Sequence, residues 1–171
     1  MKDYIITHTE KQDLKVICWM FNEAIVYQKR NNYPVWPPYD SNILANYIVK
    51  KEQRKVVVND QIACVFSVCY SDPLIWREMD GDPSVYLHRL VVNPNFKGQR
   101  NFEKVLKWTI AHAKQLKLRF IRMDTWANNP PLVDYYLSFG FKVVEYFTTP
   151  DVAELPIQQR KNEVVLLAME I

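Results

Sequence analysis

Apolar residues recur along this chain in short runs, and their spacing switches between two and nearly four, the signature of strands alternating with helices. Residues 4 to 7 read as a short strand. Thr9, Glu10, Lys11 and Gln12 form a capping-box pattern ahead of Leu14, Ile17, Cys18, Phe21 and Ile25, which share one helical face. The segment from Tyr33 to Tyr39 holds three prolines, so it predicts a stiff aromatic loop, with a second helix from about Ile43 to Lys51 after it. Val56 to Val58, the Asn59 and Asp60 turn, and Gln61 to Tyr70 read as a hairpin whose second strand is apolar on both faces and hence central. A polar loop, 71 to 84, leads to a strand from Val85 to Val92. A helix with Phe102, Val105, Leu106, Thr109, Ala113 and Leu116 on its inner face follows, then a strand from Phe120 to Thr125. A short helix opens at Pro130 and Pro131 and ends at Gly140, and strands from Phe141 to Phe147 and Val164 to Met169 close the chain. The order β α α β β β α β α β β predicts an α/β fold: a mixed, mostly antiparallel central sheet flanked by helices on both faces.

Composition narrows this little. The 171 residues, 49% apolar and 24% charged, suit one domain over residues 1 to 171 and exclude a disordered chain. Three glycines are few, so each is expected to mark a special backbone geometry. Three cysteines, Cys18, Cys64 and Cys69, lack CxxC spacing and sit in apolar runs, which fits a reducing, cytoplasmic setting. The opening residues are interrupted by charge, and no segment approaches about 18 uncharged apolar residues, so neither secretion nor membrane spanning is expected. The formal net charge is only +3, yet residues 97 to 122 hold eight basic side chains against the single acid Glu103. Such a cluster is a solvated face, an attractor for a phosphorylated ligand, or a nucleic-acid surface.

Two segments carry a resemblance. The first runs from His88 through Arg89, Leu90, Val91, Val92, Asn93 and Pro94 to Lys97, Gly98, Gln99, Arg100, Asn101 and Phe102. The second runs from Asp124, Thr125 and Trp126 through Asn129, Pro130, Tyr135 and Tyr136 to Gly140 and Phe141. In this order they resemble the GNAT superfamily of acetyl-CoA-dependent N-acetyltransferases: the strand and pyrophosphate loop, then the asparagine loop, short helix and Gly-Phe. The family loop has small residues where this chain has Arg100 and Phe102, a departure that either obstructs a diphosphate or substitutes a guanidinium fork for backbone amides.

The resemblance implies acetyl transfer from acetyl-CoA, as co-substrate, to a primary amine of a small molecule, with no metal. Backbone amides of Leu90, Val91 and Val92 would hold the pantetheine arm as an added strand. Lys97, Gly98, Gln99, Arg100, Asn101 and Phe102 would meet the diphosphate, and Asn129 would hold the loop, the arm or only a helix end. His88 is the candidate base, since imidazole titrates near ~6.5, and Tyr136 matches the family tyrosine that protonates the departing thiolate, with Tyr135 its rival. Tyr33, Trp36 and Tyr39, in a segment that flanks the acceptor pocket in similar proteins, and Asp124 with Trp126 are the candidate acceptor contacts. Each of these side chains also has an ordinary structural use. Two other classes remain open: a binding or regulatory protein on the same scaffold, and, with no module signature behind it, a nucleic-acid binder. A homodimer is left open.

Overall fold

The computed structural model describes residues 4 to 171; residues 1 to 3, at the head of the segment read for a signal peptide, lie outside the described residues. Seven strands are ordered β1-β2-β3-β4-β5-β7-β6 in one sheet: β1 Tyr4–His8, β2 Gln53–Val58, β3 Gln61–Cys69, β4 Ser84–Val92, β5 Phe120–Trp126, β6 Lys142–Thr148 and β7 Glu163–Glu170. The helices are α1 Leu14–Arg30, α2 Ser41–Val49, α3 Pro73–Trp76, α4 Asn101–Gln115 and α5 Pro130–Leu137. β4 and β5 run parallel and the neighbouring pairs β1 with β2, β2 with β3, β5 with β7 and β6 with β7 run antiparallel, which is the expected mixed sheet flanked by helices. Among the described residues no helix is long and apolar enough to cross a membrane.

The chain forms two compact units. The first runs to Val68 and takes in His88–Trp108. Its core joins Ile17, Met20 and Phe21 of α1 and Leu44 and Ile48 of α2 to Val65 of β3 and Val91 of β4. Phe66, adjacent to Val65 and so on the opposite side of the pleat, packs edge-on to Trp108 of α4 at 5.6 Å. Helices thus cover both faces of this part of the sheet. The second unit comprises Cys69–Leu87 and Thr109–Ile171, with Ile75, Trp76, Tyr86, Leu155, Val164 and Leu166 at its centre.

Local differences from the sequence reading have simple causes. The reciprocal capping pair is Glu10 with Asp13, not Thr9 with Gln12; the Thr9 hydroxyl is used on the Gln53 carbonyl at 3.2 Å. α2 begins at Ser41 because the Asp40 carboxylate accepts from the Asn42 amide at 2.6 Å. β2 begins at Gln53, three residues before its apolar run, and the polar loop contains α3. Leu116 lies past the end of α4 and is exposed. Gly98 and Gly140 have φ of +76° and +97°, whereas Gly81 carries no such requirement. With glycine scarce, nine other described residues adopt positive φ, among them Asn59 and Asp60 in the hairpin turn and Arg77, Arg89 and Arg100 elsewhere.

Candidate active site

The segment from β4 to α4 is held by its own side chains. The Asn93 amide nitrogen donates to the Ile62 carbonyl at 2.8 Å, its Oδ1 accepts from the Asn95 amide at 3.0 Å, and its backbone N–H donates to the Ala63 carbonyl at 3.0 Å. This ties the end of β4 to β3 and shapes the turn at Pro94–Phe96. Asn101 Nδ2 donates to the Phe96 carbonyl at 2.7 Å and closes the loop on itself. Between them Gly98 and Arg100 both adopt the left-handed conformation, and α4 starts at Asn101. The Lys97 ammonium lies 4.2 Å over the Tyr27 ring, and Lys104 donates to the Gln99 carbonyl and, at 3.3 Å, to Asn101 Oδ1.

The two departures from the family loop separate here. Arg100 takes the φ of +53° that glycine takes readily, and its side chain, 79% exposed, pairs with Glu103 at 2.5 Å. Phe102 is 2% exposed, so its ring belongs to the interior of α4's inner face. Upstream on β4, Val91 is buried in the core while His88, Leu90 and Val92 are half-buried. Arg89 between them has φ +50°, a local break in the alternation of faces that a regular strand keeps.

Tyr33, Trp36 and Tyr39 belong to the same unit. The Trp36 and Tyr39 rings pack on Phe21, at 6.1 and 4.7 Å, and on each other at 5.7 Å, and the Trp36 amide donates to Gln28 Oε1 at 2.9 Å. Tyr33 leans on Tyr27 at 6.1 Å. Part of each of these rings is therefore committed to packing.

The remaining candidates are in the second unit. Asp124 and Trp126, on β5 opposite Leu166 and Val164, are half-buried. Asn129 caps α5 through its carbonyl, which accepts from the Leu132 and Val133 amides, while its buried side chain makes no capping hydrogen bond. Tyr136 is buried on α5, and Tyr135 is exposed with its ring edge-on to Phe139 at 5.1 Å.

Two sets of residues escaped the sequence reading, one around Arg122 and one around Arg89. Arg122, 4% exposed, donates to Asp82 at 2.6 Å and to the Met79 carbonyl, lies 3.4 Å from the Tyr86 hydroxyl, and has the Trp76 ring 4.8 Å away. Burial and then the hydrogen bond to Asp80 push the Tyr86 phenol up to about 12. Burial pushes Asp80 up, but its hydrogen bonds from Tyr86, the Asp72 amide and Ser71, with the Arg122 charge, outweigh that and hold it low. Cys64, which the sequence already sets in an apolar run, is fully buried, and burial raises its thiol to about 12. Lastly, Arg89 stacks 4.1 Å over the Tyr47 ring with Nε 3.4 Å from Ser67 Oγ. Its sequence signal was one charged residue inside an apolar run.

Comparison with known proteins bears on this arrangement directly. Residues 22–141, more than half of the chain, match the model of the acetyltransferase (GNAT) family. Over 71 residues the chain is 31% identical to the uncharacterized N-acetyltransferase YesJ of Bacillus subtilis (strain 168), a match that spans 42% of this chain and 39% of that protein. A GNAT-family acetyltransferase from Listeria monocytogenes 4b F2365 superposes with a TM-score of 0.78 at 17% identity, covering 98% of this chain and 95% of that one. The spermidine N-acetyltransferase of Vibrio cholerae, solved with CoA and spermine, superposes with a TM-score of 0.64 at 17% identity, covering 98% and 95%. At that identity the structures speak for the fold, and the family match speaks for descent: the chain belongs to the acetyltransferase (GNAT) family.

Proposed function

We propose that this protein transfers the acetyl group of acetyl-CoA to a primary amine of a small molecule. The observation that carries the reading is the β4-to-α4 turn, where left-handed residues at 98 and 100 lead into the N-terminus of a 15-residue helix. Backbone amides at such a turn, with the positive end of the helix behind them, suit a diphosphate, and Lys97 and Arg100 add charge. The added-strand contact of the pantetheine arm falls to the backbone of Leu90 to Val92.

In the reaction the neutral amine nitrogen attacks the thioester carbonyl, a C–N bond forms and the C–S bond breaks. His88 takes the proton the nitrogen loses, directly or through water, because an alkylamine with pKa near ~10 is otherwise mostly ammonium at pH 7. Tyr136 gives its phenolic proton to the departing thiolate, and solvent exchange returns both groups to their starting states. His88 is half-buried, and Tyr136 is the member of the adjacent tyrosine pair that is withdrawn from solvent.

Acetyl-CoA consumption over a panel of amines, followed as thiol release, tests this. We expect acetyl-CoA to bind, His88→Ala to lower kcat/KM by about a hundredfold, and Tyr136→Phe to lower kcat with acetyl-CoA affinity unchanged. Absence of acetyl-CoA binding at millimolar ligand, or wild-type rates in both variants, overturns the proposal.

A further inference from the structure

Arg89 is a half-buried cation that no carboxylate among the described residues answers. Its Nε is directed to Ser67 Oγ and one face of its guanidinium is covered by Tyr47, so its orientation is fixed and the two terminal nitrogens remain as a fork. Ser67 stands opposite Gln53 in the β2 and β3 ladder, so the two share one face of the sheet. Gln53 is fully buried, and among the described residues neither Nε2 nor Oε1 of its amide has a hydrogen-bond partner. A row of polar side chains across three neighbouring strands thus holds one unmatched positive charge and one unsatisfied amide, both costly unless something polar meets them. Lys55, next along the same face of β2, adds no further charge, because Asp13 neutralises it at 2.6 Å.

A planar anion of single charge with two equivalent oxygens fits that fork, and a carboxylate has this chemistry; a phosphate brings more charge than one guanidinium balances. Arg89 also directly follows the candidate base, with consecutive Cα atoms about 3.8 Å apart. We infer that the acceptor is an amine that itself carries a carboxylate, an amino acid in the broad sense, whose carboxylate forks onto Arg89 while its amine faces His88. The inference rests on the acetyl-transfer reading above. The amide forms as described there, and the carboxylate passes through unchanged.

The test compares free amino acids, short ω-amino acids included, with their carboxamides as acceptors of the full chain. For the preferred skeleton, wild-type kcat/KM is expected to be about tenfold or more higher for the acid than for its amide, carried mostly in KM. Arg89→Gln brings that ratio to about one, and Arg89→Lys restores part of it. A calorimetric arm titrates the same panel as N-acetylated acids and N-acetylated amides, which needs no turnover. Acids that neither react faster nor bind tighter than their amides in the wild type overturn the inference, whatever the variants do. If acetyl-CoA is bound and amides without a carboxylate are acetylated equally well, this inference fails and acetyl transfer stands. If acetyl-CoA is not bound, acetyl transfer fails and the calorimetric arm still decides whether Arg89 receives a carboxylate.

Discussion

Arg100 occupies a backbone conformation that L-residues other than glycine adopt at a cost of about 1–2 kcal/mol, and its partner Glu103 returns little because both side chains are well exposed. Replacement by glycine removes the strain and adds some chain entropy to the unfolded state, leaving a net gain of about 0.5–1 kcal/mol. Arg100→Gly is therefore expected to raise the melting midpoint by about 1–4 °C in a scanning calorimeter. A lower midpoint would show that the exposed ion pair holds the turn. Retaining arginine at a position built for glycine sets a standing cost against whatever Arg100 contributes to binding phosphate.

At the scale of elements, the contacts joining α3, β4 and β5 make a titratable strut. Tyr86 keeps its proton to about 12 in the folded chain against about 10 unfolded, so its contribution to stability is complete below pH 10 and is lost as pH rises from 10 to 12. Asp80, held low, contributes above the ordinary carboxylate range and loses that contribution as pH falls through its depressed value. Urea midpoints measured from pH 8 to 12 are expected to fall less steeply for Tyr86→Phe than for the wild type; parallel slopes would remove Tyr86 as the alkaline trigger. The same elements show what a sequence pattern conceals. The apolar runs of β3, β4, β5 and β7 were legible because a strand buried on both faces has no need of polar residues. The first half of β2 was not, since Gln53, Arg54 and Lys55 carry no apolar pattern, and the partners that hold two of them in place are distant in sequence: Asp13 for Lys55, and the Trp108 ring 4.5 Å away for Arg54. Arg89 and Arg122 escaped for the same reason, because a charge inside a strand becomes meaningful only when its surroundings are known.

For the whole molecule, strand order and family membership agree with the order of elements, while the roles proposed for His88 and Tyr136 rest on the resemblance and on chemical competence. The basic cluster is less uniform than its +7 suggests: Arg122 is buried against Asp82, Arg119 pairs with Glu170 at 2.9 Å, and Arg100 pairs with Glu103. What charge remains lies before, along and just after α4, on Lys97, Lys104, Lys107, Lys114 and Lys117, and its Lys97 and Lys104 end would draw a polyphosphate toward the β4-to-α4 turn. The most direct measurement is a titration of the amide-labelled chain with acetyl-CoA, followed by nuclear magnetic resonance. Saturable shifts confined mainly to the backbone amides of Leu90–Val92 and Gly98–Phe102 are the predicted result. Unmoved amides at millimolar acetyl-CoA, or shifts gathered elsewhere on the chain, would contradict it.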